Sequence, residues 1–424
     1  MTRALLARYE SHLGYVAVVL CLIVLFVLGN REPWQWHLAY DTRFNYAHIA
    51  DYFQQQHNLS GLQNNERQPG EICLITALSF LRRFEKHGEA FMYGLMAVNA
   101  LFVLLLAVLV QRTAGGRRLF WLSAILLALG PIVLYRLDLL VCLLLLSGLL
   151  LWQKNHTYAA MVALSLAATT KLFPFFVVPY FLILSSKKHG LKSAFLHAAL
   201  FTVSAITLVG LFMLWADVSL DFIKSSLEFH KNKPIHVESL WGSLITLYQR
   251  IRSGHYPTGA AGWGIFGIDG DFLVGPMWFY DYFWLVLLSA YYLLLVLRTK
   301  RESEFNFAVV MSIIILSLSF LKTICPQYLL WFALLFPFLA QAKKQNRTQH
   351  VSIGSIILVI GVVTQYIYPI RYSNLLEVFY KTGGMPELFM TLFARNLLLL
   401  VLLCFTLSYS RKQTSERPGR KNYF

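Results

Sequence analysis

Apolar runs and polar breaks alternate along this chain from end to end. The apolar segments fall at about 13–29, 90–110, 119–134, 137–152, 158–170, 172–185, 193–215, 276–297, 305–321, 326–341, 350–369 and 389–409. A helix needs roughly 20 apolar residues to cross a hydrocarbon core about 30 Å thick. The pattern therefore predicts an all-α polytopic membrane protein with about 12 transmembrane helices, organised as one integral membrane domain over residues 1–424. Composition agrees. Hydrophobic residues make up 57% of the chain and charged residues 14%, whereas a soluble domain carries about 25% charged. A soluble enzyme with a single anchor is excluded. Leu13 to Leu28 is followed by Arg31-Glu32-Pro33 rather than by a small-residue cleavage site, so it reads as a membrane helix and not as a secretory signal.

The net charge of +16 changes the picture only through its distribution. With the N-terminus in the cytoplasm, the inside segments hold 20 basic and 4 acidic residues, so they carry the whole net charge. That is the positive-inside pattern, with both termini cytoplasmic and a tail at 410–424. The basic residues read as topology signals, and no nucleic-acid partner is expected. Cys21, Cys73, Cys142, Cys325 and Cys404 are scattered, and no disulfide framework or metal cluster is expected from them. Two long segments face outward, 30–89 and 216–275.

Two hairpins are short. Segments of 13–16 residues span roughly 20–24 Å, less than the hydrocarbon core. Their outer turns, Tyr135-Arg136-Leu137-Asp138 and Thr169-Thr170-Lys171, should sit below the outer surface. Charges there are expensive unless they pair or line a wet cavity. The bland expectation is that Arg136 pairs with Asp138 and Lys171 reaches outward. The sharper one is a cavity open to the outside, with Asp41, Arg67, Glu71, Lys171 and Lys322 on the same side of the membrane.

The first outer loop carries the polar chemistry. Read as an α-helix at about 100° per residue, Asp41 to Phe53 sets Asp41, Asn45, His48 and Tyr52 on one face, with Asp51 about 80° away from Asp41. Tyr46, Ile49, Ala50 and Phe53 occupy the other face, as in an interfacial helix on the outer leaflet. An acid, an amide, an imidazole and a phenol suit the holding of hydroxyl groups. A polar turn, Asn64 to Glu71, follows. In the second loop, His236, Trp241 and Trp263 are candidates to meet a polar ligand, the tryptophans by stacking on a sugar or as belt residues. Asp269-Gly270-Asp271 is too thin a set for a metal and reads as a turn. No P-loop, Rossmann fingerprint or glycine-rich phosphate loop occurs. No cofactor is expected, and any donor must arrive from the membrane or the outside.

These patterns resemble the GT-C glycosyltransferases, and most closely glycosyltransferase family 87, the polyprenyl-phosphate-mannose-dependent mannosyltransferases. The likeness rests on Arg136-Leu137-Asp138, Lys171-Leu172-Phe173-Pro174, Glu238-Ser239-Leu240-Trp241-Gly242 and Pro326-Gln327-Tyr328-Leu329-Leu330-Trp331, in that order over residues 30–340. The first loop departs from it, with Arg67-Gln68-Pro69 where a Tyr-x-Pro stretch is expected. The resemblance implies a GT-C-type fold and transfer of a hexose, expected to be mannose, from a polyprenyl-phosphate donor to a lipid or glycan acceptor on the extracytoplasmic face. It implies Asp41 as general base. Arg67, Arg136, Lys171, Lys322 and His236 are the cationic candidates for the leaving phosphate, with Asn45, His48, Gln327 and Tyr328 as further substrate contacts. A flippase or transporter of lipid-linked sugars is disfavoured because the two halves show no repeat. An O-antigen polymerase or ligase is disfavoured because the polar density lies in the first loop rather than a late one.

Overall fold

The first apolar segment folds as one continuous helix, α1 (Arg3–Gly29). The computed structural model describes residues 3–62, 66–84, 89–257, 259–262, 265–268, 270–339, 347–380 and 385–415. Asn64, Asn65, Trp263, Asp269 and the end of the tail beyond Ser415 lie outside the described residues. Much of the described part of the first polar loop is helical. It runs through α2 (Trp34–Tyr40), a π-helical turn (Asp41–Tyr46), α3 (Ala47–Gln56) and α4 (Pro69–Ala77) before α5 (Glu89–Ala114). The expected α-helix over Asp41–Phe53 is thus corrected. It starts earlier, and its first six residues wind more loosely, so one extra residue enters the turn.

The short hairpins follow as α6 (Arg117–Leu129), α7 (Ile132–Tyr135), α8 (Asp138–Gln153), α9 (Thr157–Thr170) and α10 (Val178–His189). Gly130, at φ +76°, and Pro131 stop α6, because proline cannot continue a helix and glycine alone takes that backbone freely. Next come α11 (Leu191–Ala216), α12 (Leu220–Asn232) and α13 (Leu240–Ser253). An antiparallel hairpin of β1 (Gly259–Gly262) and β2 (Ile265–Ile268) then pairs Gly259 with Ile268. The remaining helices are α14 (Met277–Arg298), α15 (Phe307–Phe320), α16 (Leu330–Ala333), α17 (Arg347–Gln365), α18 (Tyr372–Tyr380) and α19 (Pro386–Ser415).

Among the described residues, six helices are long and apolar enough to cross a membrane: α1, α5, α11, α14, α17 with the π turn that follows it, and α19. The helices α8, α9, α15 and the broken stretch Pro326–Phe338 are apolar but shorter. The chain is an all-α polytopic membrane protein with a small hairpin in its second long polar loop. Every side chain from Phe307 to Ser319 is buried, as expected of a helix apolar all round. By contrast, α11 and α14 leave most of their surface open, which suits lipid. The segment expected at 326–341 is no single helix. Two 3₁₀ turns, Pro326–Leu329 and Phe336–Phe338, flank α16, each with a proline that denies the backbone an amide donor. The helix α19 runs on through residue 410 to Ser415, so the expected tail begins as helix.

Candidate active site

The site is built where the first long polar loop crosses the two short hairpins. The π turn is pinned from below. Thr42 Oγ1 donates to Tyr135 O at 3.3 Å, and the buried Asn99 amide holds Leu134 O at 2.8 Å and Arg136 O at 3.0 Å. Arg136 is thereby aimed at the turn. Its Nη1 donates to Asp41 Oδ2 and its Nη2 to Tyr368 Oη at 3.3 Å. Asn45 donates to the other carboxylate oxygen of Asp41 at 2.6 Å. Arg67 stands 3.9 Å from Asp41 and lies over the Tyr46 ring at 4.8 Å. The extra residue of the π turn explains the change of face. Tyr46 turns toward the cation, while His48 is exposed on the surface of α3 and makes no contact to this cluster among the described residues.

Arg67 also pairs with Glu66, and Lys233 of the second loop reaches the same carboxylate at 3.6 Å. His230 donates from Nε2 to Glu66 O at 3.0 Å. Burial pushes the His230 imidazole down to about 4, with Lys233 adding to the effect, so it is neutral at pH 7. Burial raises the Glu66 carboxyl, but Arg67 and Lys233 outweigh it and the net direction is down.

Lys171 occupies the end of α9 and is held by two acids, Asp138 at 2.8 Å and Glu71 at 3.4 Å. The bland expectation of an Arg136–Asp138 pair is therefore corrected. Arg136 goes to Asp41, and Asp138 takes Lys171 together with the Trp331 indole N–H at 2.6 Å. Burial pulls the Lys171 ammonium down, yet Asp138 and Glu71 turn the net shift upward. Glu71 arrives through a close approach: a Cβ at Gly70 would lie 2.8 Å from Thr170 Cα, so only glycine lets α4 dock on the end of α9. Tyr328 stacks on Trp331 at 4.1 Å, Trp331 on Phe173 at 4.0 Å, and Lys171 lies 5.5 Å from the Tyr328 ring centre. Gln327 sits half-buried in the same 3₁₀ turn.

Lys322 and His236 belong to a neighbouring group. Lys322 pairs with Asp281 at 2.6 Å and donates to Lys231 O at 2.7 Å. Among the described residues its contacts do not reach Asp41. His236 bonds Lys322 O through its backbone N–H at 2.9 Å. Burial takes its imidazole down to about 3, so it offers a hydrogen bond and no positive charge at pH 7. Trp241 is no open platform: its N–H is bound to Phe320 O at 2.9 Å, and Phe279, Tyr280 and Phe283 meet it edge-on. Glu238 is fully buried against Arg395 at 3.5 Å. Burial raises its carboxyl to about 7, with Arg395 pulling the other way.

Participants that went unread in the sequence include Glu66, Lys233, Tyr368, Arg395, Asn99 and His230. A charged residue in an apolar membrane segment is a functional flag, and Arg395 within 389–409 is one. Tyr368-Pro369 is a visible break in an apolar run. The Glu66–Lys233 pair had no local signal.

In comparison with known proteins, the model of glycosyltransferase family 87 matches residues 69–323, more than half of the chain. No curated protein matches it. Asp41 and Tyr368 lie outside the matched range.

Proposed function

The chain belongs to glycosyltransferase family 87 and is a membrane glycosyltransferase, and on that premise we propose that it moves a hexose, mannose, from a polyprenyl-phosphate donor to a lipid or glycan acceptor on the extracytoplasmic face. The observation that carries the reading is the Asp41 carboxylate, held by Asn45 and Arg136 with Arg67 beside it, at the head of an interfacial loop. An acceptor hydroxyl is a poor nucleophile until a positioned base takes its proton in the transition state. In this account Asp41 takes that proton as the acceptor oxygen bonds to sugar C1. The C1–O bond to phosphate breaks, and its electron pair leaves with the polyprenyl phosphate. One displacement inverts the anomeric centre. Charge developing on the leaving phosphate calls for fixed cations. Arg67, Arg136 and Lys233 outnumber Asp41 and Glu66, whereas Lys171 is outnumbered by Asp138 and Glu71. The phosphate therefore belongs on the arginine side, with Lys171 bracing the floor. Termini in the cytoplasm, the site outside and twelve crossings, short hairpins included, complete the reading.

Two experiments test it. In a cysteine-free background, a membrane-impermeant thiol reagent is expected to label a cysteine at position 60, where Ser60 is exposed, and to miss one at 345. Labelling at 345 from outside inverts the topology and removes the site from that face. With synthetic polyprenyl-phosphate hexoses of one lipid, mannose is expected to be transferred fastest by purified protein in nanodiscs. Preference for another hexose overturns the sugar assignment alone.

A further inference from the structure

The Tyr368 hydroxyl joins three parts of the chain that sequence separates widely. It accepts from Arg136 Nη2 at 3.3 Å and donates to His37 O at 3.1 Å. His37 lies in α2, four residues before Asp41. Tyr368 owes its place to the proline after it. A residue before proline is pushed out of the helical region, and Tyr368 has φ −126° and ψ 119° inside the π turn Tyr366–Ile370. The break at the outer end of α17 turns the ring toward α2. Tyr372 packs edge-on against both partners, 4.9 Å from the Tyr368 ring and 5.9 Å from the His37 ring.

Arg136 needs such a partner. Its guanidinium is buried, and its Nε has no hydrogen-bond partner among the described residues. Its orientation is therefore set at the two terminal nitrogens, one on Asp41 and one on Tyr368. A planar fork fixed at both prongs holds the carboxylate in one direction, where a single contact would let it swing. The hydroxyl is itself held in place by its bond to His37 O in α2. We infer that Tyr368 is a positioning residue for the transfer reaction, acting through Arg136 on Asp41 and touching neither donor nor acceptor. The inference rests on the reading of Asp41 as the base, and it brings a residue of the C-terminal part, beyond the family match, into the site.

The test is a cycle of Tyr368→Phe, Arg136→Lys and the double variant, assayed for sugar transfer and thermal unfolding in nanodiscs. Tyr368→Phe keeps the ring, so packing and melting temperature should stay near wild type. Displacement of a reacting group by about 1 Å can cost about 10²-fold, and here kcat is expected to fall about 10-fold while the donor KM stays within about twofold. Lysine is shorter and lacks the planar two-pronged fork that fixes Asp41 and the hydroxyl together, so in the Arg136→Lys background Tyr368→Phe should add little further. An equal loss in both backgrounds, a loss in KM alone, or full activity overturns the inference. If the phenylalanine variant folds poorly, the cycle is read on its monodisperse fraction, where additivity still refutes it. Wild-type-like transfer by Asp41→Asn refutes the base assignment, whereas loss in Asp41→Asn with full activity in Tyr368→Phe refutes only the positioning role.

Discussion

Asp41→Asn is expected to retain the fold and donor binding and to lose nearly all turnover. The amide is almost the shape of the carboxylate. Its remaining oxygen still accepts from Arg136, and Asn45 meets the new NH₂ by turning its own amide over. What disappears is the oxygen proposed to take the acceptor proton. Loss of a general base costs ~10²–10⁴ in rate, or about 3–5 kcal/mol of barrier. Asp51→Asn is the control. Asp51 is held by both Nε and Nη2 of Arg82, at 2.6 and 2.7 Å, and is partly exposed. A pair of that exposure contributes about 1 kcal/mol or less, so Asp51→Asn should soften the loop slightly and leave transfer close to wild type. Loss of transfer in Asp51→Asn alone would move the chemistry along the helix.

Lys171→Met should have the largest effect on the fold itself. The side chain sits between Asp138 and Glu71, which are 2% and 3% exposed. Removing one partner of a buried ion pair costs about 3–5 kcal/mol, because the charge left behind has lost both water and its counter-ion. Here two acids are left facing each other. The expected result is a sharp fall in yield and melting temperature. The triple variant Lys171→Met, Asp138→Asn, Glu71→Gln removes the stranded charge and should recover most of the stability, since neutral groups can replace a buried ionic cluster without loss. The Trp331 indole N–H still finds an acceptor in the amide oxygen that Asp138→Asn leaves in place of the carboxylate. Recovery of the fold with donor affinity near wild type assigns Lys171 to the floor of the site. A fold that survives Lys171→Met unaided would show that the acids are not stranded and that the ion-pair account of this floor is wrong.

Much of this architecture was legible in the chain. Among the described residues each of the twelve apolar segments contains helical structure, as α-helix or as 3₁₀ turns, because a run of apolar residues bounded by Gly, Pro or charge has few other ways to satisfy its backbone in lipid. Six of the described helices are long enough to cross, and the shorter ones gain their burial from neighbours. The short hairpins were the strongest clue, since charges in their turns had to find partners, and Arg136, Asp138 and Lys171 did. Which partners was not legible. Arg136 passes over Asp138, two residues away, for Asp41, because the π turn and the Asn99 clamp aim it there. A π turn has no local sequence code of its own, so the even 100° spacing set His48 beside Asp41, whereas His48 stands exposed and without a contact to that cluster among the described residues. Glu66 meets Lys233 only because α12 folds back over the first loop, and pairing over that distance belongs to the fold rather than to any stretch of sequence.

The central claim is that Asp41 is the base for transfer from a lipid-phosphate sugar. It is tested most directly by supplying purified wild type and Asp41→Asn, in parallel nanodiscs, with the same labelled polyprenyl-phosphate mannose and measuring bound donor and transferred label. The account predicts equal donor binding, with transfer in the variant reduced at least about 10²-fold. Equal transfer by the two proteins would contradict it.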